Sequence, residues 1–151
     1  PVICRHACTV TGGATLPLSS GPSAGGFSLA ARDSSSADPI LISVGGDYQI
    51  PDKSEGTSAT CTRNANELLS TIFECKASTT PPHGYRSAVQ WSEALKAWIT
   101  VGTNGSDISR DNGKTWQPLD NGNWNALSLP FVVGPNGRIA RMNPAALASA
   151  K

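Results

Sequence analysis

Charge is scarce in this chain: only 15% of its residues are Asp, Glu, Lys or Arg, and the balance is +1. That leaves no electrostatic footprint for nucleic acid or for an acidic membrane surface. Long apolar runs are missing too, none approaching the ~20 residues that cross a bilayer as a helix. Methionine occurs once and histidine only as His6 and His83, so a histidine-based metal site has too few ligands. No serine sits in a nucleophile elbow, and neither Gly12-Gly13 nor Gly45-Gly46 leads into the GK signature of a phosphate loop. Sustained helical periodicity is absent outside a short Ala-rich tail. The N-terminal Pro1-Val2-Ile3-Cys4 lacks the basic and apolar regions of a signal peptide and an initiator Met. The expectation is therefore either a mature, processed protein or an expressed piece of one.

What is present points to β structure. Fifteen glycines and eleven prolines punctuate 151 residues, a length that holds one domain with a real core. Four cysteines (Cys4, Cys8, Cys61 and Cys75) permit three complete pairings. Their even number and the low charge favour an oxidising compartment, secreted or periplasmic. Zinc is the rival, but the spacings lack the two-residue knuckle of structural zinc sites. If Cys4 and Cys8 share a strand face they lie about 13 Å apart, beyond disulfide reach. Either that segment turns or the two bond elsewhere.

The most informative stretch is Ser109-Arg110-Asp111-Asn112-Gly113-Lys114-Thr115-Trp116. An Asn-Gly pair supplies the positive φ of a tight turn, and the β-rich Trp98-Ile99-Thr100-Val101-Gly102 precedes it. The order Ser-x-Asp-x-Gly-x-Thr-Trp resembles the Asp-box, the hairpin motif of sialidases and of many non-enzymatic β-propellers. The resemblance implies a structural role for Ser109, Asp111, Gly113, Thr115 and Trp116: Asp111 caps its own turn, and Trp116 packs between sheets.

Two faded copies, Thr9 to Leu16 and Thr62 to Leu69, start 53 residues apart, and the full motif starts 47 further on. Propeller blades of four strands have this period. Other landmarks keep the same order. Phe27, Tyr85 and Trp124 each open an apolar strand, and each is followed by a strand ending Val44-Gly45, Val101-Gly102 or Val133-Gly134.

The expected fold is all-β: a single domain over 1–142 built from about three antiparallel four-stranded blades. Residues 27–74 and 85–118 form whole blades, 2–18 with 124–142 form a composite one, and 143–151 are a tail that starts a short helix at Pro144 or frays. Three blades fall short of the four to eight of a closed propeller. The expectation is then a partial ring, or a ring completed by oligomerisation. Val44-Gly45-Gly46-Asp47-Tyr48, Pro81 to Val89, Trp124 to Ser128 and Gly134 to Ile139 are similar to the C-terminal part of photosystem II stability/assembly factor-like propellers, over roughly residues 20 to 142.

A sialidase-like hydrolase needs an arginine triad and a Tyr nucleophile with its Glu, an exception among glycosidases. Only Tyr48 and Tyr85 are available, and Arg138-Ile139-Ala140 lacks the proline of the Arg-Ile-Pro string that the resemblance leads one to expect. Calcium at Asp107, Asp111 and Asp120 competes with ordinary turn roles for all three. No metal and no cofactor is therefore expected.

The remaining expectation is a surface. In a propeller the residues opening the inner strands line the central cavity, here Phe27, Tyr85 with Arg86, and Trp124 with Asn125. Such a ring, with Asp47 beside it, suits a planar or sugar-like ligand. The competing expectation is that the aromatics pack between blades and Arg86 pairs with Asp47 or Asp33. The sequence thus favours a non-catalytic module acting through protein partners or self-association, with a secreted lectin-like module as the alternative.

Overall fold

The computed structural model of the chain describes residues 15–34, 37–63, 73–143, 145 and 147. Within them the fold is all-β, in three antiparallel sheets. Sheet 1 is the meander β1 (Ala24–Ser34), β2 (Ala37–Asp47), β3 (Ser58–Arg63) and β4 (Phe73–Ala77). Sheet 2 repeats that order with β5 (Ala88–Ser92), β6 (Ala97–Gly102), β7 (Gly105–Ser109) and β8 (Gln117–Asp120). Sheet 3 has three strands, β9 (Ala126–Ser128), β10 (Phe131–Val133) and β11 (Ile139–Arg141), the last two joined through a 3-10 turn at Pro135–Gly137. No helix among the described residues is long and apolar enough to cross a membrane.

The sheets pack in chain order through their first strands, β1 against β5 and β5 against β9. Sheet 2 is therefore covered on both faces, and every residue of β6 and β7 is buried. This fits the apolar content of both faces of Ala97-Trp98-Ile99-Thr100-Val101-Gly102, whose one polar side chain, Thr100, is satisfied by donating to the Ala88 carbonyl at 2.8 Å. Between sheets 1 and 2 the core is Ile42, Val44, Val89, Trp98 and Trp116. The Arg32 guanidinium stacks 4.3 Å from the centre of the Trp91 ring across the same seam. Between sheets 2 and 3 the core is Ala97, Ile99 and Ile108 with Leu127 and Leu129 against them.

The turn at Asp111-Asn112-Gly113 joins β7 to β8, so the strand entering it is Gly105–Ser109 and not the expected Trp98–Gly102, which lies one strand earlier. β7 has one strong β-former, Ile108. Its strand state comes from ladders on both sides and full burial rather than from propensity.

The tail docks rather than frays where it is described. The Asn143 side chain accepts from the Ala145 N–H at 3.0 Å, and its carbonyl accepts from the Leu147 N–H at 3.1 Å. Leu147 is buried in the second core, and its carbonyl accepts from Arg110 Nη2 at 2.7 Å.

Of the three cysteine pairings, register selects one that includes Cys61–Cys75. The two face each other across β3 and β4, with Cα atoms 4.0 Å apart, and are joined as a disulfide. Cys4 and Cys8 lie outside the described residues, as do most of both faded motif copies. The Cys61–Cys75 bridge closes a loop of 14 residues. Replacing both cysteines by serine is expected to cost about 3 kcal/mol through the freed unfolded chain, read as a drop in the urea midpoint. A change below about 0.5 kcal/mol would show that the loop is ordered without it.

Candidate functional site

Arg86, the strongest candidate for holding a ligand, is completely buried. Its guanidinium meets Asp107 from two nitrogens: Nε donates to Oδ2 at 2.6 Å, and Nη2 lies 2.5 Å from the same oxygen. Nη1 donates at 2.6 Å both to the Tyr85 carbonyl and to Asn104 Oδ1. The partner is thus Asp107 on β7, and not the expected Asp47 or Asp33. Burial pulls the Arg86 guanidinium below its ordinary value, while Asp107 and Asp120 pull the other way. The group remains charged, as a guanidinium does in proteins.

Asp107 is saturated from its other side. Its Oδ1 accepts from His83 Nδ1 at 2.6 Å and from the His83 backbone N–H at 3.4 Å. Asn104 carries the network across the seam between sheets 1 and 2: its Nδ2 donates to the Pro51 carbonyl at 2.8 Å and to Asp52 Oδ1 at 3.0 Å. The backbone adds Tyr85 N–H to Pro51 O and Arg86 N–H to Gly45 O, each 2.8 Å. Gly102 lets the chains come this close, since a Cβ there would sit 2.0 Å from the Tyr85 carbonyl oxygen. The cluster is a polar lock between two sheets, with no guanidinium offered to solvent.

The motif residues 109–116 form a second lock. Asp111 Oδ1 accepts from the Thr115 N–H and the Ser109 hydroxyl, each at 2.9 Å, and Oδ2 accepts from the Thr115 hydroxyl at 2.6 Å. Ser109 Oγ in turn accepts from the Gly113 N–H at 2.9 Å. Asn112 and Gly113 have φ of 60° and 77°. The turn then bonds outward to sheet 1. Thr60 Oγ1 donates to Asn112 O at 2.8 Å, Ser78 Oγ to Gly113 O at 2.6 Å, and the Thr79 N–H to Lys114 O at 2.8 Å. Trp116 seals it, 3% exposed, with its Nε1 donating to Ser58 Oγ at 3.1 Å.

Burial of the Asp111 carboxyl favours its neutral form, but the bonds from Thr115 and Ser109 outweigh that and hold it below its ordinary value. A depressed folded value contributes stability that is full above about pH 4, the unfolded value, and is lost as pH falls through the folded value. Asp111→Asn is therefore expected to flatten the decline in stability below about pH 4. Equal acid sensitivity of variant and parent in urea unfolding would remove Asp111 from that role.

The aromatics do not share one position. Ser28, Ala88 and Ala126 are equivalent, because each pairs with the valine of a Val-Gly landmark: Val44, Val101 and Val133. Phe27 lies one residue before its reference, Trp124 two and Tyr85 three. A slip of one residue turns a side chain to the other face. Backbone bonds agree: Arg86 N–H reaches Gly45 O, as Trp124 N–H reaches Gly102 O, so Arg86 and Trp124 are the matching pair.

Tyr85 is buried edge-on to Phe27 with centroids 5.1 Å apart, and burial, then nearby Tyr48, raises its phenol above the ordinary value. Trp124 has Arg138 4.2 Å over its ring and donates from Nε1 to Asp120 Oδ1 at 3.1 Å. Asn125 is exposed, and Asp47 accepts from the Gln49 N–H at 2.9 Å. These five residues therefore do not converge on an open polar cavity. The cavity beside Trp124, about 220 Å³, is lined mainly by Leu119, Val132, Met142 and Leu147.

Asp107, Asp111 and Asp120 have separate partners, and among the described residues no three His, Cys, Asp or Glu side chains gather as a metal site. What the sequence did not disclose is the apolar surface. Phe131 is 50% exposed, Val133 38% and Ile139 70%, and register places them side by side on one face of sheet 3. Comparison with protein-family models, curated proteins and solved structures returned no match.

Proposed function

We propose that this chain is a set of propeller-type blades of the Asp-box class serving as a non-catalytic assembly module, which docks a protein partner through the open face of β9–β11. The observation that carries this reading is a division of labour. The polar side chains with chemical potential are spent on internal bonds: Arg86, Asp107 and His83 on one another, Asp111 on its own turn, and Asn104 on Arg86 and, across the seam to sheet 1, on Pro51 and Asp52. The large exposed apolar groups of sheet 3 have no partner of that kind, and contiguous apolar surface of this sort is characteristic of protein contacts. The Cys61–Cys75 disulfide fits an oxidising compartment, in keeping with a secreted or periplasmic protein. The similarity to photosystem II stability/assembly factor-like propellers points the same way.

A photo-crosslinking residue at position 131 tests the reading. It is expected to yield a discrete protein adduct, whereas the same residue at exposed Lys53 yields none and a glycan array stays silent. Specific sugar binding without an adduct at 131 would overturn the proposal in favour of a lectin.

A further inference from the structure

Register makes the three sheets comparable residue by residue, and one comparison is out of line. Val44, Val101 and Val133 are equivalent, and so are Ile42, Ile99 and Phe131, two residues earlier on the same strand face. In sheets 1 and 2 these positions are 0% exposed: Ile42 and Val44 are covered by Val89, Trp98 and Trp116 of sheet 2, and Ile99 is covered by Leu127 and Leu129 of sheet 3. In sheet 3 the same positions stand open, at 50% and 38%. Each sheet therefore has a front face built to receive the back face of a following sheet, and among the described residues the front of sheet 3 has received none.

The chain also carries an unused back face. Leu29 pairs with Ser43, Val89 with Thr100 and Leu127 with Val132, so Leu29, Val89 and Leu127 are equivalent. Val89 is 7% exposed between sheets 2 and 1, but Leu29 is 62% exposed. Leu16 and Leu18 lie beside Gly26 on that side, Leu16 lining a shallow pocket with Leu29, and among the described residues Leu29 stays exposed.

Resting on the assembly reading, we propose that the partner is a second copy of this chain. The back face of its sheet 1, at Leu29, seats on the front of sheet 3 at Phe131, Val133 and Ile139, and the contact is repeated reciprocally. Among the described residues each chain owns one open face of each kind, so two copies satisfy both. The contact is head-to-tail and closes on itself as a two-fold ring of six sheets, within the four to eight blades of known propellers. A net charge of +1 opposes such pairing little.

Sedimentation and native mass measurement of the purified chain are expected to give twice 15.6 kDa. Phe131→Asp and Leu29→Asp are each expected to be monomeric and folded by circular dichroism, with unfolding midpoints that no longer rise with protein concentration as the parent's do. Mixed together, they are expected to pair one to one, because the intact front of Leu29→Asp meets the intact back of Phe131→Asp. A dimer that survives Leu29→Asp overturns the head-to-tail contact in favour of front against front. A strict monomer overturns the second copy. If position 131 still crosslinks to a different protein, docking stands and only the partner changes, whereas a monomer without any adduct takes the assembly reading down as well.

Discussion

Asp107→Ala is expected to destabilise the protein by about 3–5 kcal/mol, the cost of leaving a buried charge without its partner. For a domain of this size that is a fall in Tm of roughly 6–20 °C. The reason lies in what remains around Arg86. Its side chain has no solvent exposure, and with Asp107 gone the acceptors within reach are the Tyr85 carbonyl, Asn104 Oδ1 and, in its other tautomer, His83 Nδ1 at 3.0 Å, none of them charged. His83 loses the acceptor of its Nδ1–H in the same stroke. Arg86→Met is the mirror experiment, stranding Asp107 with His83 alone. Removing both charges, as Arg86→Met with Asp107→Leu, is expected to cost far less than the two single changes together, because no uncompensated ion is left behind. A double-mutant cycle on urea midpoints reads this coupling. Single changes costing under about 1 kcal/mol would mean that water reaches the pair.

Trp116→Ala is expected to cost a similar amount, about 3–5 kcal/mol, by a different route. The indole shares one core cluster with Ile42 and Val44 of sheet 1 and Val89 and Trp98 of sheet 2, so its removal opens a cavity at that seam. The Ser58 hydroxyl loses its donor as well. Trp116→Phe, keeping most of the apolar volume but not the N–H, separates these two contributions and is expected to recover more than half of the loss. Gly113→Ala probes the same seam through the backbone. Its φ of 77° disfavours a side chain, and a Cβ would sit 2.7 Å from both Ile42 Cδ1 and Thr60 Oγ1. If Trp116→Ala left the midpoint and the single transition of the parent unchanged, the turn would belong to its own sheet and would not join the two.

Much of the fold was legible because it is written in local signals. The valine-glycine strand ends, the Asn-Gly turn and the β-branched runs are short-range features, and each marks a strand or turn of the structure. β7 was not legible, since Gly105-Ser106-Asp107-Ile108-Ser109 is a strand only because neighbours bury it on both sides. The candidate site was misread for a related reason. Arg86 and Asp107 are 21 residues apart and meet only once β5, β6 and β7 have folded back on one another. The aromatics looked equivalent by order along the chain, but strand equivalence is decided by pairing register, and a shift of one or two residues separates Phe27, Trp124 and Tyr85. Nothing in the sequence marks the face of sheet 3 as exposed, although the Val133-Gly134 landmark falls on it. Phe131 and Ile139 resemble core residues in the sequence, and only the packing shows that nothing within the described residues covers them.

The central claim is that this face is covered when the protein works, and carbene footprinting reads it at the residues concerned. Ile139 and Ile50 have the same side chain and are 70% and 55% exposed in the single chain. In the assembled protein Ile139, with Phe131 and Val133, is expected to label well below Ile50. Labelling of Ile139 equal to or above that of Ile50, under conditions where the chain is associated, would contradict the account.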